Sequence, residues 1–224
     1  MTDSFRPSVL RAKAWDVLRD KWGQAALTSL IIYAGYLLVL LVSSLMPLLG
    51  LVIMMLVWGM LLIGYQFIFL DLYRDKGQVE VKTILEPVHR YGRYFGGFLL
   101  VCIYVGLWSL LFYIPGIIKM LSYSMTFYIM RENPEMTGEQ AIQRSMEMMK
   151  GHKMDLFLLM LSFIGWILLS IITLGIGYLW IYPYMYTARA AFYEELKKEY
   201  AATQPFEGSS FGDGERTVVI TTEA

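Results

Sequence analysis

The chain has 224 residues, of which 57% are hydrophobic, 15% aromatic and only 17% charged, with a positive mean hydropathy and zero formal net charge. Soluble domains carry about 25% charged residues; here the deficit is concentrated in long uncharged runs, which points away from a soluble core and toward a membrane protein. Balanced charge gives no footprint for nucleic acid, and the single cysteine, Cys102, excludes an intrachain disulfide or a thiol pair for redox or zinc chemistry.

In chain order, the first segment is "SVLRAKAWDVLRDKWGQAAL". It places Leu10, Ala14, Val17 and Leu18 on one helical face and leaves Arg11, Lys13, Arg19 and Lys21 in water. No small-residue cleavage pattern precedes the first apolar run, so that run is expected to stay as an anchor. Two uncharged stretches follow, 25–46 and 51–70, each near the ~20 residues that span a bilayer. "MPLLG", with Pro47 and Gly50, is the turn between them. "TILEPVHRYGRYFGGFLL" is a second amphipathic segment, with Ile84, Val88, Tyr91 and Phe95 at helical spacing. The run 97–130 would reach ~50 Å as one helix, beyond a ~30 Å hydrocarbon core. Pro115-Gly116 in "YIPGII" is expected to break it. In the third amphipathic segment, "TGEQAIQRSMEMMKGHKMDLFLL", Thr137 and Gln140 fit a capping box. Ala141, Ile142, Ser145, Met146 and Met149 make its buried face, and Met148 points away. The run 156–188 is again too long for one span, and "TLGIG", Thr173 to Gly177, is its natural break.

The expected fold is therefore an all-α integral membrane protein of about six transmembrane helices in three hairpins (about 25–70, 97–130 and 156–192). Each hairpin follows a cytoplasmic amphipathic interfacial helix, a threefold internal pseudo-repeat. Residues 1–202 form one membrane domain, and 203–224 read as a disordered cytoplasmic tail. Eighteen of the nineteen Lys and Arg residues lie outside the runs. Three closed hairpins put them all on one side, which the positive-inside rule makes cytoplasmic, with both termini. Helices four to six are expected to be short, with tilt or re-entrant geometry open.

An ionisable residue within a span is the usual pointer to transport. All nineteen Asp and Glu lie outside the expected spans, against a carrier built on buried carboxylates. Lys119 is the exception. It reads either as a lysine snorkelling to the interface or as an anion contact in a polar cleft between helices four and six. Ser122, Tyr123 and Thr126 would line that cleft from helix four, and Tyr178, Tyr182 and Tyr186, at i, i+4 and i+8, from helix six. Arg19, Lys21, Trp22, Arg93, Tyr94, Lys150, His152 and Lys153, at the basic–aromatic junctions, are the candidate contacts to anionic lipid.

Thioethers suit Cu(I), so "SMEMMKGHKM", with Met146, Met149, Met154 and His152, has the composition of a metal box. Gly151 interrupts its helix, and no second Met/His/Cys motif lies in the spans, so the interfacial reading prevails and no metal or cofactor is expected. His89 and His152 sit in separate junctions, in no Ser/His/Asp or HExxH arrangement, and no glycine loop has phosphate-cradling context. No catalytic residue is assigned, and the chain does not read as an enzyme.

The segment 113–196 contains "IPGIIK", an "NP" followed by a helix ending "MMKGHK", then "SFIGW", "TLGIG" and "PYMYTARAAFY". These resemble an uncharacterised family of bacterial integral membrane proteins, domain of unknown function 975. The layout is also similar to the membrane region of some glycerophosphodiester phosphodiesterases, without their barrel. The resemblance implies a polytopic protein of the bacterial cytoplasmic membrane and brings no catalytic residues. The expected function is a non-enzymatic membrane protein that organises or senses the bilayer or scaffolds a membrane partner. The alternative is a transporter or channel for a small amphiphile or lipid through the helix four/six cleft. Expected partners are membrane lipids and a second copy or another membrane protein, not nucleic acid.

Overall fold

The structure is a computed structural model that describes residues 3–75 and 79–203; the tail beyond Thr203 lies outside the described residues. Among them it is all helical. Helix α1 (Pro7–Leu18) starts on a proline, whose missing N–H costs nothing at the first helical position. It buries Leu10, Ala14, Val17 and Leu18, the face expected from the pattern. Then come α2 (Trp22–Leu45), α3 (Pro47–Ile53), a π-helical stretch Met54–Trp58 and α4 (Gly59–Asp75). The second amphipathic segment is not one helix but a 3₁₀ turn, Val81–Leu85, followed by α5 (Glu86–His89) and a kink at Arg90. Pro87 lies in the first turn of α5, where a proline can start a helix but not continue one. Ile84 is buried while Val88 is exposed. The chain continues as α6 (Tyr91–Leu111), α7 (Tyr113–Ser122), α8 (Thr126–Glu132), α9 (Gly138–Met148), α10 (Lys153–Leu161), α11 (Ile164–Ile172) and α12 (Tyr178–Thr203).

Among the described residues, four stretches are long and apolar enough to cross a membrane: Trp22–Leu45, Leu56–Arg74, Tyr91–Leu110 and Lys153–Ile172. The stretch from Tyr113 to Glu132 breaks between α7 and α8. α12 is long but polar in its second half. It is not the short helix expected: "EELKKEYAA" consists largely of strong helix formers, with a Glu195–Lys198 pair at i, i+3. Pro183 lies within α12 without ending it, and the Thr187 hydroxyl donates to the Pro183 carbonyl, 2.8 Å away.

At each of three turns a glycine backs onto a serine seven residues earlier. A Cβ on Gly50 would lie 2.5 Å from the Cβ of Ser43, one on Gly116 3.0 Å from the Cα of Ser109, and one on Gly177 2.9 Å from the Cα of Ser170. Only a residue without a side chain lets the two backbones meet so closely. The second break falls at extended Phe112 rather than at Pro115-Gly116. Pro115 instead sits in the first turn of α7, where its lost N–H has no helical partner to forfeit.

The C-terminal ends of α4 and α8 are tied by charge to the middle of α12. Arg74 pairs with both Glu132 and Glu194, and Lys197 reaches Glu132 at 3.2 Å. The Tyr193 hydroxyl donates to Glu132 at 2.9 Å. Arg131 forks onto Asp71, at 2.6 and 2.8 Å, and contacts Glu86 at 2.8 Å. The amphipathic segments dock around this hub. α1 lies on α12, α9 on α8 and α6, and the 3₁₀ turn on α4, where Gly64 leaves room for the Ile84 backbone.

Candidate functional site

α7 ends at Ser122 and α8 starts at Thr126, so the backbone at the break needs partners from elsewhere. Ser145, fully buried on α9, provides them: its hydroxyl donates to the Ser122 carbonyl (2.8 Å) and accepts from the Met125 N–H (3.2 Å). This plug holds α9 against α7. Between them and α6 lies an open cavity of about 200 Å³. α6 lines it with Tyr104 and Trp108, α7 with Lys119, the α7–α8 break with Tyr123, and α9 with Glu139, Ile142, Gln143 and Met146.

The Lys119 ammonium lies 4.8 Å from the Trp108 ring centroid, 5.9 Å from that of Tyr123 and 4.0 Å from the Met146 sulfur. A cation over these ring faces gains from their quadrupoles. Among the described residues, neither Lys119 nor Glu139 is joined to an opposite charge within 4.0 Å. The cleft thus holds one cation and one carboxylate, neither satisfied by the other.

The seven residues expected to line a helix four/six cleft are not brought together. Lys119 and Tyr123 face the cavity just described. Ser122 and Thr126 are buried, the Ser122 hydroxyl donating to the Ile118 carbonyl at 2.7 Å. Tyr178 and Tyr182 stack at 5.2 Å, and Tyr186 packs edge-on against Tyr65 of α4 at 4.9 Å. The Tyr65 hydroxyl in turn lies 2.6 Å from that of Ser29 on α2. The phenolic stripe of α12 therefore faces α2 and α4, because α12 packs on both of them. Trp108, Glu139, Gln143 and Met146 were not singled out as a cleft from sequence. Their signal was there: Tyr104 and Trp108, like Glu139 and Gln143, are i, i+4 pairs, each on one helical face.

The candidate lipid contacts also divide. Arg19 and Lys150 are exposed, and Lys21, Trp22 and Lys153 are half-buried, Trp22 packing 5.1 Å from the exposed Trp15. Arg93 is a clamp instead, donating to the carbonyls of Met130 (2.8 Å), Asn133 and Met136 (3.1 Å). Tyr94 is buried 5.6 Å from Phe67. His152 lies 3.2 Å from both Asp155 and Glu199, against Phe5. In the methionine cluster, Met148 is buried and Met146 half-exposed, the reverse of the expected assignment. Positions 141, 145 and 148 form the stripe that faces the bundle, which turns Met146 toward Lys119. Among the described residues no three His, Cys, Asp or Glu side chains are grouped to hold a metal ion. On α12, burial would raise the Glu195 carboxyl, but Lys13 at 2.9 Å and Lys198 at 3.1 Å more than offset it and hold it below the usual range.

Among the described residues, an all-helical bundle with four helices long and apolar enough to cross a bilayer is consistent with a membrane protein, and a partly polar cleft opens on its flank. The chain belongs to the family described as protein of unknown function (DUF975), which matches residues 6–122 and 110–200. No curated protein and no solved structure matches it, so the likeness in layout to the phosphodiesterase membrane region carries no argument.

Proposed function

We propose that the chain is a six-span, three-hairpin protein with an internal threefold pseudo-repeat, its charged end and both termini in the cytoplasm, and that it organises the bilayer without catalysis. The serine–glycine pairs 43/50, 109/116 and 170/177 support the repeat, since the same close contact recurs at the same spacing at each turn. Each docked amphipathic segment lies on the second helix of a neighbouring hairpin, and α1 closes the circle on α12.

One observation carries the role. The charges of Asp71, Arg74, Arg131, Glu132 and Glu194 are spent on one another, making a rigid hub, while Arg19 and Lys150 stay exposed. Paired charges build a frame, and the exposed basic residues suit anionic headgroups, Arg19 lying in sequence between the tryptophans Trp15 and Trp22. In nanodiscs of mixed phosphatidylglycerol and phosphatidylcholine, the wild-type protein should retain phosphatidylglycerol preferentially in native mass spectrometry. Arg19→Gln with Lys150→Gln should remove most of that preference, and an unchanged lipid profile would sink the proposal.

A second reading, a carrier for a small amphiphile, is favoured by the open cleft at Lys119. It requires transbilayer movement of a labelled single-chain lipid in proteoliposomes that Lys119→Gln abolishes; movement no faster than in empty vesicles would remove it.

A further inference from the structure

The cleft between α6, α7 and α9 is lined by a cation from α7 and an anion from α9, with aromatic rings among the same lining residues. We infer that it binds a zwitterionic phosphoethanolamine-type headgroup, with Lys119 taking the phosphate and Glu139, together with the Tyr104 and Trp108 rings, taking the ammonium. The inference needs the chain to lie in a membrane; it does not depend on the bilayer-organising role.

Three features select this chemistry. First, the charges are unequal to the task of neutralising each other: Lys119 and Glu139 line one cavity without forming an ion pair. A ligand with both signs satisfies both, whereas a purely anionic group would meet Glu139 as a like charge. Second, the rings are placed for a cation. Lys119 already lies over Trp108 at 4.8 Å; a phosphate arriving at Lys119 draws its ammonium aside and frees the ring face for the ligand's own ammonium. Third, size fits a headgroup. The cavity of about 200 Å³ is smaller than the ~300–1,000 Å³ of drug-sized ligand pockets, so acyl chains must stay outside. Leu107 and Met120, next to Trp108 and Lys119 in sequence, are exposed apolar side chains on which such chains could lie.

Glu139 also occupies the first turn of α9, where a carboxylate is favourable to the helix dipole. That accounts for its presence on α9 but not for its sharing a cavity with an unpaired lysine. Gln143, one turn along the same face, can donate its amide to phosphate oxygens that Lys119 leaves free.

The test is native mass spectrometry and titration of the purified full chain in detergent with dioleoyl phosphatidylethanolamine, dioleoyl phosphatidylglycerol and soluble glycerophosphoethanolamine. Wild type should hold phosphatidylethanolamine over phosphatidylglycerol. Lys119→Gln and Glu139→Gln should each weaken phosphatidylethanolamine binding about tenfold or more, the effect of one lost charge-assisted contact. Lys119→Arg, which keeps the charge, should retain most of the binding and shows that the loss is not one of folding. Competition by glycerophosphoethanolamine supports the same chemistry from a soluble source; binding of the diacyl lipid alone supports a bilayer source. The inference is overturned if Glu139→Gln leaves binding unchanged or tightens it, or if phosphatidylglycerol binds as well and with the same dependence on Lys119. Arg19→Gln with Lys150→Gln should not alter phosphatidylethanolamine binding, so this site and the bilayer-organising role stand or fall separately.

Discussion

Ser145→Ala is the most demanding perturbation of this bundle, because one hydroxyl serves two buried backbone groups. The Ser122 carbonyl accepts from it at 2.8 Å and the Met125 N–H donates to it at 3.2 Å. Among the described residues neither has another partner, since the α7–α8 break removes their helical ones. Removing one oxygen leaves almost no cavity, so the cost is that of two orphaned groups. At about 1–3 kcal/mol each, and allowing for some relaxation of a break that is already irregular, the loss should be roughly 2–4 kcal/mol. Ser44→Ala is the matched control: its hydroxyl bonds the Leu41 carbonyl on an exposed surface and should cost less than about 0.5 kcal/mol. Unfolding by sodium dodecyl sulfate in dodecyl maltoside micelles, followed by circular dichroism, measures both. Binding at the Lys119 cleft should weaken in parallel, because α9 forms one of its walls. If Ser145→Ala and Ser44→Ala unfold alike, the plug carries no energy and the account of the helix break is wrong.

Gly50→Ala should cost about 1–3 kcal/mol in the same assay through overpacking against Ser43, and adding Ser43→Gly should recover part of it. A double variant no better than the single one would show that the turn geometry, not this contact, sets the cost. Arg131→Met strands Asp71 and Glu86, both partly exposed, and should cost about 1–3 kcal/mol; Arg131→Lys should recover only a fraction, since a point charge cannot fork onto Asp71. Glu195 is held below the usual carboxylate range, so the folded chain binds its proton less readily than the unfolded one. Its stabilising tie to Lys13 is therefore complete above the unfolded value near 4.5 and is lost as pH falls through the lower folded value. Hydrogen exchange of α1 should rise over that window in the wild type and change less in Lys13→Gln; identical profiles would contradict the assignment.

Much of the architecture was legible because lipid-length apolar runs and a 3.6-residue period are strong signals. The face Leu10, Ala14, Val17, Leu18 and the capping box at Thr137 and Gln140 are seen as read. Properties that depend on which helix lies beside which were not legible. Tyr186 reads as one of a stripe, but only packing shows that the stripe meets Tyr65 and not Lys119. Arg93 and Tyr94 carry the composition of an interfacial anchor, and tertiary contacts turn one into a clamp on three carbonyls and the other into core. The hub was hidden for the same reason: Arg74, Glu132 and Glu194 are remote in sequence and meet only because the ends of α4 and α8 converge on the middle of α12. The serine–glycine spacing of seven was visible in the letters. Only the close backbone approach at the three turns gave that spacing a physical cause.

The docking of α1 on α12 sets a timetable for biosynthesis. Lys13 and Glu195 are 182 residues apart, so at about 5–20 residues per second the ribosome delivers the second partner roughly ten to forty seconds after the first. Throughout that interval the face of Leu10, Ala14, Val17 and Leu18 lacks its α12 cover and has only the earlier-made α2 and α4 residues of its clusters, such as Ala25, Phe67 and Phe69, to pack against. The membrane surface is the available host, and the amphipathic face suits it. The first segment to be made would then wait at the headgroup boundary and be the last to find its place, latching the bundle only once α12 has been inserted.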